Sequence, residues 1–471
     1  MNKFSAVILA AGQGKRMNSE ICKVMHKISG KPLAKWVKDK LDDAGCEKEV
    51  MVIGHKKEQV KEFFGDSVLY SEQKEMLGTG HAVMMTKPHF EGENTTVMVL
   101  CGDAPLISEK LIRSVVDFHK KSGASATVVS AKIDNPFGYG RVITDDNGAL
   151  LKIVEQKDAT EDEKKVNEVN SGMYCFESKD LFGALSKITN DNAQGEYYLT
   201  DTISVLKGEG KKVFAFSAEN SSEILGVNNR VDLANAQKIK HGEIIEKHLI
   251  NGVTIIDPST TYIDDETVIE SDTVIYPNTN IKGNSHIGHF CEIGPNSVIT
   301  NTKIGDNVTF LSSVANEASV GDECSVGPFA YLRPKANVGK HVKIGDFVEV
   351  KNSNIDEGTK VSHLTYIGDS DVGKNINFGC GTITVNYDGK NKFRTVIEDN
   401  AFIGCNTNLV APVRVGKGAY TAAGSTITTD IPDNALAIER GRETIKEGYA
   451  EKKLKARTEK FEAIHGKSEE K

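Results

Sequence analysis

A glycine-rich turn near the N-terminus is a candidate phosphate-binding loop. Residues 9–17 read Leu-Ala-Ala-Gly-Gln-Gly-Lys-Arg-Met and follow a short apolar run. Two glycines one residue apart let backbone N–H groups approach phosphate oxygens, and Lys15, Arg16 and Lys23 add positive charge. Gly-x-Gly alone fits an ordinary strand-to-helix turn equally well, since it is neither a dinucleotide fingerprint nor a Walker loop.

A carboxylate follows a second apolar run. Residues 100–106 read Leu-Cys-Gly-Asp-Ala-Pro-Leu. A carboxylate such as Asp103 beside bound phosphates suits Mg²⁺, which keeps several waters and needs few protein ligands. An Asp before Ala-Pro is also a common turn former, and that interpretation would be favoured if Asp103 stood alone.

Three polar residues of the second half form a third candidate site. Arg333, Lys351 and His363 fall on successive segments of a repeat. The two cations would bind a phosphate, and the imidazole could remove a proton from an amine. A lone His on a repeat is more often a surface residue. The matching positions of Arg333 and Lys351 favour a catalytic role.

Alternating strand and helix patterns must position the first two motifs. Strands are predicted at 6–10, 49–53, 97–100 and 126–131, and helices at 31–43 and 109–120. This alternation predicts a mostly parallel sheet covered by helices. Because such sheets bind ligands at the carboxyl ends of their strands, the glycine-rich turn and Asp103 should share one edge. Helix-like spacing over 229–251 predicts one connecting helix.

A six-residue apolar period begins near residue 253 and must position the third site. Aliphatic residues recur at intervals of six over 263–299, 314–350 and 355–367, often followed by Gly. This period predicts a three-sided parallel β-helix with one hexapeptide per side. The five-residue step from Ile299 to Ile304 predicts a shortened corner. Residues 382–395 lack the repeat and should form a loop, and the charged tail after Arg440 should form a short helix or fray.

Bulk properties exclude several classes of protein. The net charge of −8 argues against a nucleic-acid-binding surface, and no run approaches the ~20 apolar residues of a membrane span. The apolar N-terminus reads as a buried strand and not as a signal peptide. The eight cysteines are scattered without a Cys-x-x-Cys pair, which favours neither zinc nor disulfides and fits a reducing cytoplasm.

The first half resembles the sugar-nucleotide pyrophosphorylases. The resemblance rests on the two motifs above and on five more in the family's order, which are Gln73 with residues 77–82, 138–141, Glu155, 170–172 and 226–230. It implies that the uridine nucleotide is held by Leu9, Ala10, Ala11, Gly12, Gln73, Gly78 and Thr79. It further implies that N-acetylglucosamine is held by Gly140, Glu155 and Asn170, Mg²⁺ by Asp103 and Asn228, and the phosphates by Arg16 and Lys23.

The resemblance extends over nearly the whole chain. The second half is similar to the acetyltransferase half of the bifunctional N-acetylglucosamine-1-phosphate uridyltransferase/glucosamine-1-phosphate acetyltransferase family, including residues 382–389. It implies that His363 is the general base. It implies that glucosamine 1-phosphate is held by Arg333, Lys351, Tyr366 and Asn377. It implies that acetyl-CoA is contacted by Cys380, Asn386, Tyr387, Cys405, Ala423 and Arg440.

Three positions depart from the family pattern. Lys15 stands where the family usually has Thr, which leaves the backbone role of the loop intact. Cys380 and Cys405 stand where it commonly has Ala and Ser, near the expected coenzyme site. Backbone contacts should survive these changes, but thiol reagents should be able to inhibit acetylation.

Together these observations predict an α/β Rossmann-like nucleotidyltransferase domain followed by a left-handed parallel β-helix. The predicted boundaries are 1–229, a linker helix at 230–250, and 251–471. The resemblance implies a cytoplasmic homotrimer that serves peptidoglycan synthesis. Its substrates would be UTP, glucosamine 1-phosphate and acetyl-CoA, with Mg²⁺ as cofactor and no nucleic-acid or stable membrane partner.

Three alternatives remain open at this stage. The β-helix could be a non-catalytic assembly module of a sugar-nucleotide pyrophosphorylase. The chain could be a non-enzymatic scaffold with a degenerate transferase domain, although the intact Arg16, Lys23, Asp103 and Asn228 argue against it. The β-helix could instead be a zinc hydratase, which needs three converging His ligands from a set that comprises His286, His289, His341 and His363.

Overall fold

The structure is a computed structural model that describes residues 3–145, 150–192 and 194–466. It contains two compact units. The first takes in the chain as far as Phe290 together with Val298–Asn301, and the second takes in Cys291–Ser297 and the chain from Thr302 onward. The first unit therefore includes several segments of the hexapeptide repeat. The division of the chain at residues 229 and 250 stays a prediction.

A largely parallel sheet forms the centre of the first unit. Its strands are β1 (Ser5–Ala10), β2 (Lys48–Ile53), β3 (Leu69–Glu72), β4 (Thr96–Cys101), β5 (Ala126–Lys132), β6 (Arg141–Thr144), β7 (Leu150–Val154), β8 (Glu168–Glu177) and β9 (Val213–Ser217). The order is β9-β5-β8-β4-β1-β2-β3, with β6 and β7 as a hairpin beside β8. β8 runs antiparallel to its neighbours β4 and β5, and β6 pairs antiparallel with both β8 and β7. The four predicted strands and their parallel sheet are confirmed.

Helices cover the sheet on both faces through apolar stripes. They are α1 (Leu33–Ala44), α2 (Lys57–Phe64), α3 (Thr79–Met84), α4 (Glu109–Ser122), α5 (Ser178–Leu185) and α6 (Asp201–Gly208). In α4 the Ser108 hydroxyl caps the first turn by accepting from the Leu111 N–H at 3.0 Å. Gly123, at φ 62°, ends the helix in the left-handed region.

One sequence prediction near the N-terminus needs correction. The predicted helix at 31–43 begins at Leu33, because Lys31–Pro32 pairs antiparallel with Lys27–Ile28. The glycine-rich turn leads into a 3₁₀ turn, Lys15–Met17, which the left-handed conformations of Gly14 and Asn18 bound on both sides.

The predicted connecting helix is confirmed as α7 (Arg230–Ile250). The Asn229 side chain caps it by accepting from the N–H groups of Val231 and Asp232 at 2.8 and 2.9 Å. Near its end, His248 is 3% exposed, and neither ring nitrogen has a hydrogen-bond partner among the described residues. Burial lowers the pKa of His248 to about 4, so the folded protein holds this ring neutral.

We expect acid to destabilise the first unit through His248. A histidine whose pKa falls on folding stabilises the native state fully above its unfolded pKa, and this contribution is lost as pH falls from about 6.5 toward 4. Between pH 7.5 and pH 5 the loss should be about 2 kcal/mol. Urea unfolding at both pH values should show this slope, and His248→Leu should flatten it. An equal slope in both proteins would contradict the assignment.

The first unit also contains the beginning of a parallel β-helix. Its strands are Thr254–Ile255, Tyr262–Ile263, Val268–Ile269, Val274–Ile275, Asn280–Lys282, His286–Ile287 and Val298–Thr300. Ile263 pairs with Ile281, and Ile269 pairs with Ile287, each eighteen residues later. Three hexapeptides therefore complete one coil, as the period predicts.

The second unit contains twenty-one strands of the repeat in the described chain. They are Glu292–Ile293, Lys303–Ile304, Thr309–Phe310, Val314–Asn316, Ser319–Val320, Ser325–Val326, Tyr331–Leu332, Ala336–Val338, Lys343–Lys351, Ser353–Ile355, Lys360–Gly368, Ser370–Val372, Asn377–Phe378, Ile383–Val385, Thr395–Ile397, Phe402–Ile403, Asn408–Val410, Val413–Val415, Tyr420–Thr421, Thr426–Ile427 and Leu436–Ala437. The strands pair in parallel with the coils before and after them, and their inward side chains form the core.

Three predictions about the repeat are wrong in detail. Val314 points outward and Ala315 fills the interior, so the second run of the period begins one residue off phase. Residues 383–385 of the predicted loop form a strand, because Thr384 fills the interior as the repeat requires. The tail forms a seventeen-residue exposed helix, α8 (Tyr449–His465), and not a short one. None of the helices in the described residues is long and apolar enough to cross a membrane.

Candidate active sites

A cavity of about 530 Å³ opens at the carboxyl ends of β1 and β4 in the first unit. Nine residues that the sequence assigns to the nucleotide site line it, namely Leu9, Ala10, Ala11, Gly12, Lys23, Gln73, Gly78, Thr79 and Asp103. They come from four separate segments of the chain. The sheet therefore brings them together at one edge, where the strand order predicts a ligand.

Two glycines shape the cavity by close backbone approach. Gly14 has φ 62°, and a Cβ there would lie 2.7 Å from the Cβ of Lys23. Gly78 has φ 105°, and a Cβ there would lie 2.6 Å from the Tyr197 carbonyl oxygen. A side chain at either position would be strained and would displace its neighbour.

A polar cluster joins Asp103 to Asn228 beside the cavity. The Lys23 ammonium forms an ion pair with Asp103 and donates to Asn228 Oδ1 at 3.0 Å. Arg16 donates to the same oxygen at 3.0 Å. A Cβ on Gly226 would lie 3.7 Å from Asp103 Oδ1 and 3.8 Å from Asn228 Nδ2, so both side chains lie beside this glycine. One carboxylate and one carboxamide oxygen thus face a cation next to a cavity of nucleotide size, and this donor set fits Mg²⁺.

The three predicted sugar-binding residues meet one another outside the cavity lining. The Gly140 carbonyl accepts from the Asn170 N–H at 2.8 Å, and a Cβ on Gly140 would lie 3.4 Å from the Glu155 carboxylate. Burial raises the pKa of Glu155. A Cβ on Gly172 would lie 3.2 Å from Cys101 Sγ, and Cys101 lines the cavity. The sugar residues therefore lie next to the cavity wall.

Several side chains of the cavity were assigned no role from the sequence, among them Gln13, Val24, Met76 and Glu196. No motif marks Glu196, which reaches the cavity because Tyr197 hydrogen-bonds with Leu77 and Gly80 across the entrance. Cys101 at the cavity wall is no candidate nucleophile, since burial raises the pKa of its thiol to about 12.

In the second unit, His363 lies at a corner of the β-helix. In the preceding coil its paired residue is Asp346. Val361, two residues before His363, pairs with Phe378 of the next coil. That register places Cys380 beneath His363, Cys405 beneath Cys380 and Ala423 beneath Cys405. We call Asp346, His363, Cys380, Cys405 and Ala423 the corner column. Neighbouring residues in it are one coil apart, about 4.8 Å.

Asp346 orients His363 and was missed by sequence reasoning. The Nδ1–H of His363 donates to Asp346 Oδ1 at 2.8 Å, which leaves Nε2 available as a base. This hydrogen bond lowers the pKa of Asp346 and keeps it ionised. The signal lay in the repeat, because a residue one coil before His363 stacks on it.

The corner column also carries part of the predicted acetyl-CoA site. The carbonyl oxygens of Cys380 and Cys405 each accept a backbone hydrogen bond at 2.8 Å from the following coil. A Cβ on Gly424 would lie 3.9 Å from Arg440 Cδ, which places the Arg440 side chain beside Ala423. The structure therefore brings Cys380, Cys405, Ala423 and Arg440 together with His363.

The predicted phosphate-binding cations lie on the face that follows the corner. The Arg333 N–H donates to the Val350 carbonyl oxygen at 2.8 Å, so Arg333 and Lys351 occupy neighbouring coils. Arg333 forms a 2.6 Å ion pair with Glu349, whose paired residue in the next coil is Tyr366. The nearby ammonium of Lys392 lowers the pKa of Lys351. Lys392 is a third cation that the sequence did not predict.

Within one chain the predicted acetyltransferase residues form two groups. Asn386 binds Asp369 near Lys351, and Tyr387 follows it into the 386–394 loop. Asn377 pairs with Lys360, on the face before the corner. One group therefore lies around the corner column. The other lies around Lys351, at the end of the next face that is farther from the corner.

The histidines do not assemble a zinc site. His286 and His341 approach Glu270 and Glu323 at 3.2 and 3.3 Å, while His363 binds Asp346. Across residues 3–145, 150–192 and 194–466, no three His, Cys, Asp or Glu side chains form a group that could hold a metal. The zinc hydratase alternative has no support in this arrangement.

Comparison with known families assigns both units. Residues 6–197 match the MobA-like NTP transferase domain, and residues 266–301 and 394–429 match the bacterial transferase hexapeptide repeats. The fold is therefore a Rossmann-like nucleotidyltransferase domain followed by a left-handed parallel β-helix, as the sequence predicts.

Relatives match over nearly the full length. The chain is 52% identical to the "Bifunctional protein GlmU" of Acetivibrio thermocellus over 460 residues, which cover 98% of this chain and 100% of that protein. It is 53% identical to the protein of the same name from Caldanaerobacter subterraneus, with 97% and 99% covered. The chain therefore belongs to the family of the bifunctional protein GlmU, the uridyltransferase and acetyltransferase family that its motifs resemble.

Proposed function

We propose that the two sites catalyse consecutive steps of UDP-N-acetylglucosamine synthesis. The β-helix site acetylates glucosamine 1-phosphate from acetyl-CoA, and the sheet-edge site transfers UMP from UTP to the product. The observation that carries the proposal is the 2.8 Å pair of His363 and Asp346 in the corner column. This pair supplies an oriented base beside the residues assigned to the thioester, which a passive assembly module would not need.

Acetylation proceeds by direct transfer. The Nε2 of His363 takes a proton from the substrate amine, whose nitrogen attacks the thioester carbon as the C–S bond breaks. Asp346 holds the ring in the required tautomer and stabilises the imidazolium that forms, as the third member of a catalytic triad does. No enzyme nucleophile is required.

Phosphate recognition positions the amine. Arg333, Lys351 and Lys392 gather positive charge on one face, where Arg333 pairs with Glu349 and Asp369 lies near the two lysines. The lowered pKa of Lys351 reflects this repulsion, which a bound phosphate dianion would relieve. Tyr366 and Asn377 are assigned to the same substrate.

Uridylyl transfer uses the sheet-edge cavity. A phosphate oxygen of N-acetylglucosamine 1-phosphate forms a bond to the α-phosphorus of UTP, and the bond to pyrophosphate breaks. Leu9 to Gly12, Gln73, Gly78 and Thr79 hold the nucleotide, and Gly140, Glu155 and Asn170 hold the sugar. Arg16 and Lys23 balance the charge on the phosphates. Mg²⁺, held by Asp103 and Asn228, supplies further charge stabilisation when bound.

We further propose that the acetyltransferase site is completed between subunits of a homotrimer. The corner column and the group around Lys351 are separate within one chain. Beside that column, Phe329, Phe347 and Leu364 form an exposed apolar ridge, 60%, 59% and 58% accessible, with the two rings stacked at 5.6 Å. An apolar ridge next to half of a site favours burial against a second copy of this chain.

One coupled assay tests the proposed function. The full chain is supplied with glucosamine 1-phosphate, acetyl-CoA, UTP and Mg²⁺, and each component is then omitted in turn. We expect UDP-N-acetylglucosamine only in the complete mixture, with N-acetylglucosamine 1-phosphate accumulating when UTP is withheld. Product formation without acetyl-CoA, or no acetylated intermediate without UTP, would contradict the two-step scheme.

A further inference from the structure

Two cysteines occupy neighbouring coils in the corner column. The Phe378–Ile403 pairing aligns Cys380 with Cys405, and the Asn406 N–H donates to the Cys380 carbonyl oxygen at 2.8 Å. A Cβ on Gly379 would collide with the backbone nitrogen of Cys405, so the two coils touch at this point. Both thiols are exposed. They also occupy the same position of the repeat, so their side chains leave the corner in the same direction.

The spacing of these coils permits a disulfide but does not favour a relaxed one. Neighbouring strands lie about 4.8 Å apart, within the range of about 4.4–6.8 Å that disulfides span between Cα atoms. Parallel side chains keep their Cβ atoms nearly as far apart, above the mean of about 3.8 Å for disulfides. A bond between the two sulfurs would therefore be strained and readily reduced.

The remaining six cysteines are less accessible. Cys22, Cys175, Cys291 and Cys324 are buried, and Cys46 and Cys101 are half-buried. Burial raises the pKa of both Cys46 and Cys101 to about 12, which suppresses their thiolate forms. An oxidant in solution would therefore meet the Cys380–Cys405 pair first.

We propose that Cys380 and Cys405 form a reversible redox-modification site whose ligand is a low-molecular-weight disulfide. One thiol loses its proton and attacks the disulfide, which releases one thiol and leaves a mixed disulfide. The second cysteine attacks that sulfur, which releases the second thiol and forms the Sγ–Sγ bond. The two cysteines lose two electrons in total, and the small disulfide gains them.

Closure of this bond alters the corner directly beneath His363. The consequence for catalysis rests on the proposed function, because Cys380 and Cys405 lie where acetyl-CoA is expected to bind. A displacement of about 1 Å at such a site costs on the order of 10²-fold in rate. Acetyl transfer is therefore slowed by about 10²-fold in the oxidised protein, while uridylyl transfer in the first unit continues.

Oxidation of the full-length reduced protein with glutathione disulfide tests the inference. After alkylation of free thiols, peptide mapping by mass spectrometry should find one link joining the segments that contain residues 380 and 405. Acetyl transfer should fall by about 10²-fold, dithiothreitol should restore it, and uridylyl transfer should not change. Separate glutathione adducts on the two cysteines with no link between them would overturn the proposal.

Three variants identify the residues responsible. Cys380→Ala and Cys405→Ser should lose the link and should instead keep a glutathione adduct on the one cysteine that remains, because no second thiol displaces it. Cys46→Ala is the matched control and should keep the link. A link that joins the remaining cysteine of either single variant to another part of the chain would also overturn the inference. A reduced protein that forms the link but never transfers acetyl groups would instead refute the proposed function, and leave the modification site standing.

Discussion

Replacement of His363 with alanine is expected to lower acetyl transfer by about 10²–10⁴-fold, which is the usual contribution of a general base. The loss should fall on kcat, because the cations that bind the substrate phosphate lie on the next face and are unchanged. Uridylyl transfer should be unaffected, since all its assigned residues belong to the first unit. Acetyl-CoA consumption and pyrophosphate release, measured on the same preparation, would check both statements.

The control is a second exposed histidine on the β-helix. His286 approaches Glu270 at 3.2 Å, as His363 approaches Asp346, but the resemblance assigns it no substrate. His286→Ala should leave both activities intact. An unchanged rate of acetylation in His363→Ala would remove His363 from the mechanism. An equal loss in both variants would show that the effect is structural.

Asp346→Asn separates orientation from proton transfer. It keeps the size of the side chain but removes the charge that stabilises the imidazolium, so kcat for acetylation should fall less than in His363→Ala. The KM for glucosamine 1-phosphate should stay unchanged, because the cations proposed to bind its phosphate are not altered. A purely structural role would raise KM as well as lower kcat.

The six-residue period shows what sequence alone can establish about the fold. Intervals of eighteen residues between paired strands, such as Ile263 with Ile281, follow directly from three hexapeptides per coil. The phase was harder to predict where small residues replace aliphatic ones. Ala315 and Thr384 fill the interior without looking apolar enough to mark the repeat. The prediction therefore placed Val314 inside and residue 384 in a loop.

The residues of the two sites likewise fall into those that the sequence motifs predicted and those that they did not. Motifs identified the residues that end strands at the sheet edge, since strand order brings Gly12 and Asp103 to one cavity. Glu196 and Lys392 come from loops whose paths depend on tertiary contacts, so no local pattern indicated them. Asp346 was predictable in principle, but only by counting one coil back from His363.

Replacement of Asp103 with alanine is expected to abolish uridylyl transfer. Asp103 is the carboxylate that pairs with Lys23 in the polar cluster of Lys23, Arg16 and Asn228, and its side chain is only 20% exposed. Its loss leaves Lys23 without its ion pair and would remove the charged ligand that we propose for Mg²⁺. Loss of such preorganised charge costs on the order of 10²–10³-fold in kcat, and loss of the metal adds to it.

The comparison with Asp180 makes this prediction specific. Asp180 forms a 2.8 Å ion pair with Lys211 at 19% exposure, close to the exposure of Asp103, but it lies outside the cavity lining. Asp180→Ala should therefore retain uridylyl transfer, measured as pyrophosphate released from UTP and N-acetylglucosamine 1-phosphate. Asp103→Asn keeps an oxygen ligand without its charge, and should regain part of its activity as Mg²⁺ is raised. Full activity of Asp103→Ala at saturating Mg²⁺ would show that the carboxylate has no role in uridylyl transfer.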